Sequence, residues 1–187
     1  MDLLDPASID AFAARFLSTG LPLDMLVNSA GIMALPDLTL DARGYELQFA
    51  TNHLGHFQLT ARLWPALKQT AGARVISVSS MGHRFSPLVF DDINFRDRPY
   101  DSWSAYGQSK TANILFAVEL DARGKTDDVR AFSLHPGGIP GTGLEKHVPV
   151  EALKAVGVID EHGNPNIDPA RDVKSVPMGG ATQVWCA

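Results

Sequence analysis

Leu23-Asp24-Met25-Leu26-Val27-Asn28-Ser29-Ala30-Gly31 is the stretch whose reading decides the fold. A short apolar run is followed at once by residues of turn-forming type. Such a run, bounded by a turn, reads as a buried strand rather than a helix. Outward from it the same unit recurs. Ala73 to Ser79 carries Val75, Ile76 and Val78 and ends in Ser79-Ser80, and Val129 to His135 ends in Pro136-Gly137-Gly138. Helical patterns separate these strands. Asp5-Pro6 pairs an N-cap acceptor with proline at the first helical position, and Ile9, Phe12, Ala13 and Phe16 then recur at helical spacing towards Gly20. A long helix is predicted over about Asp41 to Lys68, where Leu47, Phe49, Leu54, Phe57, Leu59, Leu63 and Leu67 supply apolar faces. A second long helix is predicted over Trp103 to Arg123, ended by Gly124.

Two segments lack a sustained period. Met81 to Ser102 is rich in Pro, Asp and Arg and reads as a surface loop. Glu145 to Ser175 is interrupted by Pro149, Gly157, Gly163, Pro165 and Pro169 and reads as a lid-like, partly mobile region. A further helix is predicted to begin near Pro177. Short strands alternating with helices imply parallel pairing and a doubly wound α/β sheet. Ligands of such sheets gather beyond the carboxyl ends of the strands. Asn28 to Gly31, Ser79-Ser80 and His135 to Gly138 are therefore expected to line one crevice.

Composition excludes some functions and selects none. The 187 residues are 45% hydrophobic and 20% charged, ordinary for a globular chain. The formal net charge of -5 argues against a nucleic-acid or anionic-membrane surface, because phosphate binding needs a basic face. No apolar run reaches the length needed to span a bilayer. Met1-Asp2-Leu3-Leu4-Asp5 lacks the basic start of a secretory signal, and Cys186 is the single cysteine. The expected compartment is reducing and cytoplasmic.

Tyr106 and Lys110 stand four apart, one turn along the second long helix, and so share a face. An ammonium beside a phenol stabilises the phenolate and is expected to lower the tyrosine pKa. That is what a tyrosine needs to exchange a proton with an alcohol or a carbonyl near neutral pH. The spacing alone is common enough to describe an ordinary solvated helix face.

The surrounding motifs are more specific. Asn28-Ser29-Ala30-Gly31, Asn52-His53-Leu54-Gly55-His56-Phe57, Val78-Ser79-Ser80, Ala105-Tyr106-Gly107-Gln108-Ser109-Lys110 and His135-Pro136-Gly137-Gly138-Ile139 occur in the order found in the short-chain dehydrogenases/reductases. The chain resembles that family over nearly its whole length. The Asn-His-Leu-Gly-His-Phe and Tyr-Gly-Gln-Ser-Lys versions look like the retinol-dehydrogenase and WW-domain-oxidoreductase branch.

The resemblance implies an NAD(P)-dependent oxidoreductase that interconverts an alcohol and a carbonyl on a small hydrophobic substrate. Tyr106 would be the acid in reduction and the base in oxidation. Ser80 would hydrogen-bond the substrate oxygen. Lys110 would hold the nicotinamide ribose and keep Tyr106 acidic. Asn52, through a local distortion of its helix, would hold a water that relays protons to Lys110. Asp2, Asn28, Ala30, Gly31, Pro136, Gly137, Gly138, Ile139 and Thr142 would contact the cofactor, which is NADP or NAD, with the branch leaning to NADP. The branch also implies a homodimer through the two long helices, with no metal.

Departures from the family pattern set further expectations. Ser29 replaces an asparagine usual in the family, and Gly141 stands where a threonine is common, so Thr142 would take over that contact. No Gly-rich phosphate loop precedes Asn28, and Asp2-Leu3 resembles the end of the family's third strand. Gly179-Gly180 has neither the preceding strand nor the spacing to replace that loop. Gly180 to Ala187 resembles the start of a late helix. Residues 1–187 therefore read as one partial domain: an incomplete Rossmann-type doubly wound sheet lacking its first βαβ unit and its last strand. About 143–176 would form the substrate-side loop region, and Leu23 to Val27 would be an exposed edge.

Without a Gly-rich phosphate loop this chain need not be active on its own. The alternative reading is a non-enzymatic fragment that pairs with another chain, either to complete its sheet or as an interaction module. Other constellations weigh less. His53 and His56 lie three apart but lack the remaining ligands of a helical zinc motif. Ser80 with His83 lacks the Gly-x-Ser-x-Gly turn of a hydrolase. Trp64, Trp103 and Trp185 read as core or interface anchors, and His135 as a strand-end residue without a catalytic role.

Overall fold

In the computed structural model, which describes residues 1–187, Asp5 accepts a hydrogen bond from the Ala7 amide at 2.9 Å. With Pro6 at its first position, helix α1 (Pro6–Leu17) begins where the cap predicts. Strand β1 (Met25–Asn28) starts two residues later than the apolar pattern does. Leu23 is held instead by a bond from its amide to the Ala66 oxygen at 3.2 Å, which places it at a corner of the core.

The helix predicted from Asp41 begins only at Leu47. The Asp41 carboxylate accepts from the amides of Arg43 and Tyr45 at 2.8 and 2.9 Å, a local turn that competes with helix formation. Gly44 completes that turn with φ 84°. Glu46, fully buried, then caps the helix by accepting from Gln48 N and Phe49 N at 3.0 and 2.7 Å. Helix α2 (Leu47–Phe49) passes into a π-helical turn at Ala50–Leu54 and continues as α3 (Gly55–Leu67).

Strand β2 (Ala73–Val78), helix α4 (Ser102–Gly124) and strand β3 (Val129–Leu134) complete the central unit. The sheet order is β1-β2-β3, all parallel, with Val27 opposite Ile76 and Ile76 opposite Phe132. β2 is buried on both faces, as a central parallel strand requires. Ala73 and Val75 join Leu67, Val129 and Ala131 on one side, while Ile76 and Val78 join Leu134 on the other. Ile9 and Ala13 of α1 pack on Leu59 and Leu63 of α3. β1 lies at the edge, as expected, with Met25 and Val27 exposed.

The two aperiodic segments are more ordered than their sequences suggest. Met81–Phe85 and Phe90–Asp92 form 3-10 turns, and Phe95 between them and α4 is buried at φ 54°. Within Glu145 to Ser175, helix α5 (Val150–Ala155) is followed by a bridge between Ile159 and Pro165, and Val173 bridges to Gly138. These pieces are too short to print a period on the sequence; the Ile159–Pro165 bridge is local, and Val173–Gly138 ties the segment to the loop after β3. Helix α6 (Val176–Cys186) lays Cys186 and Ala187 against Ile76, Val78 and Leu134. No helix is long and apolar enough to cross a membrane.

Candidate active site

The Asp101 carboxylate accepts from the Ser104 amide at 2.7 Å and so starts α4 just before Tyr106. That start turns Tyr106 and Lys110 inward, and both are buried. Lys110 Nζ donates to the Val78 main-chain oxygen at 3.1 Å and lies 5.6 Å from the centre of the Tyr106 ring. Ser79 Oγ donates to the Lys110 carbonyl at 2.9 Å, fastening the helix to the end of β2. The Ser80 turn runs alongside. Ser80 Oγ accepts from Gly82 N at 3.0 Å, and His83 Nδ1 donates to the Ser80 carbonyl at 2.6 Å. A Cβ on Gly82 would come within 2.7 Å of Tyr106 Cε1, so only glycine lets this turn pass the phenol ring.

The expected lowering of the Tyr106 pKa is not what this geometry produces. Burial pushes the phenol up, and the nearby Ser80 hydroxyl only partly opposes it. Burial also lowers the Lys110 ammonium to about 8. Desolvation outweighs what the Ser80 hydroxyl returns to the phenolate.

Asn52 sits in the π-helical turn, matching the expected distortion of its helix. Its side chain clasps Ile32: Oδ1 accepts from the Ile32 amide at 2.8 Å, and Nδ2 donates to the Ile32 oxygen at 2.9 Å. Nδ2 also reaches Ser109 Oγ at 3.0 Å. The Asn52 carbonyl accepts from His56 Nδ1 at 3.0 Å. His53 takes a different partner, donating through Nδ1 to Asn113 Oδ1 at 3.1 Å, and Asn113 Nδ2 donates to the same Val78 oxygen that Lys110 uses.

A cleft of about 1210 Å³ opens beyond the strand ends. Ser80, Tyr106 and Lys110 line it together with Gly31, Thr142 and the run Pro136 to Ile139. The crevice expected from strand alternation is thus present. Asp2, Asn28, Ala30 and Asn52 are not among its lining residues. Asp2 caps its own turn by accepting from Leu4 N at 2.9 Å. Asn28 is buried, its Nδ2 donating to Thr60 Oγ1 at 3.0 Å while its Oδ1 has no partner. Ala30 is exposed.

The cleft also holds residues the sequence reading passed over. Trp103, read there as an anchor, lines it, with its ring perpendicular to Tyr106 at 6.4 Å and to Phe85 at 5.6 Å. Leu144, Val148, Leu153, Val156 and Val158 supply an apolar wall from the aperiodic segment. Their signal in the sequence is only an apolar scatter among breakers. Gly179, at the start of α6, leaves no room for a Cβ beside Ile139, which accounts for the glycine that follows Met178.

A family model described as short chain dehydrogenase matches residues 1–91. A "Probable oxidoreductase" of Streptomyces antibioticus is 46% identical over 187 residues, covering 100% of this chain and 60% of that protein. "Retinol dehydrogenase 13" of Homo sapiens is 42% identical over 147 residues, covering 79% of this chain and 44% of its own length. The chain therefore spans about 60% of the longer Streptomyces relative. Among solved structures, a protein from Mycobacterium paratuberculosis is 43% identical with a TM-score of 0.65, covering 79% of this chain and 52% of that one. The NADPH-bound carbonyl reductase from chicken fatty liver is 25% identical with a TM-score of 0.58, over 75% of this chain and 57% of the reductase.

Proposed function

Because the chain belongs to the short-chain dehydrogenase/reductase family, we propose that its cleft is the catalytic half of an NAD(P)-dependent oxidoreductase interconverting an alcohol and a carbonyl. The observation that carries the reading is the burial of Tyr106 and Lys110 on one face of α4, beside Ser80 and at the mouth of the cleft. A buried tyrosine and lysine that merely packed would not face open space together.

The residues present fit the nicotinamide-ribose end of a dinucleotide. Lys110 Nζ has three donors and spends one on Val78, leaving two for ribose hydroxyls. Gly31 keeps the approach clear, since a Cβ there would stand 2.9 Å from Asn52 Oδ1 and 3.7 Å from Lys110 Nζ. Pro136 to Ile139 and Thr142 would flank the nicotinamide. When bound, the nicotinamide supplies or accepts the hydride. NADP is the favoured form, in keeping with the NADPH held by the chicken carbonyl reductase.

The chain's own residues do the rest. Tyr106 passes its phenolic proton to the carbonyl oxygen in reduction and takes the hydroxyl proton in oxidation. Ser80 Oγ donates to the same oxygen as charge develops there. Lys110 places its ammonium next to the phenol and offsets part of the burial that holds the phenolate back. Asn52 fixes the Ile32 loop through its side chain, and in this reading its backbone would hold a water that relays protons to Lys110. The apolar wall of Leu144, Val148, Leu153 and Val156 favours a hydrophobic substrate, with about 143–176 as its side of the cleft.

A second copy of the chain is the proposed partner. Phe57 of α3 and Leu115 and Val118 of α4 are exposed on the two long helices, a face suited to isologous pairing.

Tyr106→Phe is the direct test. Turnover of carbonyl substrates with NADPH should fall about a thousandfold, with an unchanged circular dichroism spectrum and melting curve. Retained turnover would exclude the assignment.

A further inference from the structure

His135, not itself a lining residue of the cleft, joins the end of β3 to the turn after Ser80 and to the segment that holds Asp172. Its Nδ1 accepts from the Met81 amide at 3.1 Å, which leaves the ring proton on Nε2. Nε2 donates to Asp172 Oδ2 at 2.6 Å. Met81 directly follows Ser80, and Asp172 stands in the segment that leads into α6. That segment is stitched to the loop after β3 by backbone bonds in both directions: Gly138 N to Asp172 O and Lys174 N to Gly138 O, each 2.8 Å. Lys174 Nζ reaches back to Asp172 Oδ1 at 2.9 Å. Gly137, at φ 98°, has no room for a Cβ, which would meet Lys174 Cδ at 2.8 Å and Asp172 O at 3.0 Å. Asp172 itself holds φ 61°, a left-handed conformation that is unfavourable for a non-glycine residue and that these contacts offset.

Each ring nitrogen of His135 is committed to a different segment, Nδ1 to Met81 and Nε2 to Asp172. We propose that His135 is a positioning residue that ties the Ser80 turn to the segment about Asp168 to Lys174, so that the seating of this segment sets the direction of the Ser80 hydroxyl. The link runs through the backbone, because Ser80 Oγ is itself aimed by the Gly82 amide one residue beyond Met81. This inference rests on the role given to Ser80 above. A misplacement of about 1 Å at a reacting group can cost on the order of a hundredfold in rate, so a modest shift of the turn is enough to matter.

Two substitutions separate the two bonds. His135→Asn keeps an acceptor near the Nδ1 position and cannot reach Asp172. His135→Gln carries a donor towards Asp172 and offers Met81 no acceptor. Two measurements on the 187-residue chain need no turnover: the Met81 amide in a 1H–15N spectrum, and the rate of limited proteolysis within residues 157–175. The Met81 amide should shift and exchange about tenfold faster in His135→Gln, and stay near its wild-type position in His135→Asn. Proteolysis should accelerate in His135→Asn and Asp172→Ala more than in His135→Gln. In assays with NADPH and a hydrophobic aldehyde, His135→Gln should lower kcat about tenfold with little change in KM, and His135→Asn should mainly raise KM. Variants that behave alike in all three measurements, or a Met81 amide indifferent to His135→Gln, would overturn the proposal. The oxidoreductase reading fails if a longer chain that supplies the Gly-rich phosphate loop shows no turnover, and the amide and proteolysis results on residues 1–187 still decide whether His135 makes the bridge.

Discussion

Lys110 Nζ donates to the main-chain oxygen of Val78 at 3.1 Å, so the ammonium is held at the carboxyl end of the central strand rather than by any carboxylate. A charge buried with only a carbonyl for a partner is costly to the fold, and that cost is measurable.

Burial lowers Lys110 to about 8, below its ordinary 10.5. The charged form is therefore penalised in the folded state. Above about pH 10.5 the group is neutral in both states and the penalty is absent; as pH falls through about 8 the full penalty returns. Lys110→Met should raise stability at pH 7 by up to about 3 kcal/mol in urea denaturation, and the gain should shrink as pH approaches 10. The same variant should lose turnover. A Lys110→Met variant less stable than wild type at pH 7 would mean that the Val78 bond outweighs desolvation.

His56 is the acid-sensitive element. Burial holds it down to about 4, with the nearby Lys110 charge adding to the effect and the hydrogen bond to the Asn52 oxygen opposing it. The unfolded chain takes up this proton near pH 6.5 and the folded chain does not. Its contribution to stability is therefore complete above about pH 6.5 and is lost as pH falls through about 4. Histidine 53 shifts in the same direction, also through burial. His56→Gln should flatten the acid limb of a melting-temperature profile between pH 6.5 and 4. An unchanged limb would assign the acid loss to other groups.

Gly82 is a steric gate on the phenol. An alanine there would place its Cβ 2.7 Å from Tyr106 Cε1 and 2.8 Å from Cδ1. Gly82→Ala should lower kcat on the order of tenfold to a hundredfold by displacing the ring, and cost about 1–3 kcal/mol as overpacking. Near wild-type kcat would show that the turn yields without moving Tyr106.

Val118 of α4 is 65% exposed, one turn from the exposed Leu115, while Phe57 of α3 stands against Phe116 of α4 at 5.4 Å between ring centres. If these helices pair with a second copy, Val118→Glu should convert a dimer into a monomer in light scattering, because two carboxylates would meet across the two-fold axis. A wild-type chain that is monomeric at all concentrations would contradict the pairing.

Much of this site was legible one residue type at a time. The Asp5-Pro6 cap, the three strand ends and the Tyr106–Lys110 spacing all read correctly, because each is a local pattern of cap chemistry or period. The helix expected from Asp41 starts only at Leu47, because the Asp41 carboxylate and Gly44 form a turn that the apolar spacing does not register. The segment from Glu145 to Ser175 shows no period because it is built of short local pieces, α5 and the Ile159–Pro165 bridge, with Val173 paired to the distant Gly138. His135 was dismissed because its partners are 54 and 37 residues away in the chain.

The amino-acid sequence by itself determined the α/β alternation and that Tyr106 and Lys110 share a face of one helix, since those properties belong to side-chain type and near-neighbour spacing. Only the tertiary structure decided that Tyr106 is a harder acid than its lysine neighbour suggests, that Lys110 is a weakened cation, and that His135 links Met81 to Asp172. Burial and through-space hydrogen bonds depend on how remote segments pack, and desolvation in that packed interior outweighs the charge pairing visible along one helix.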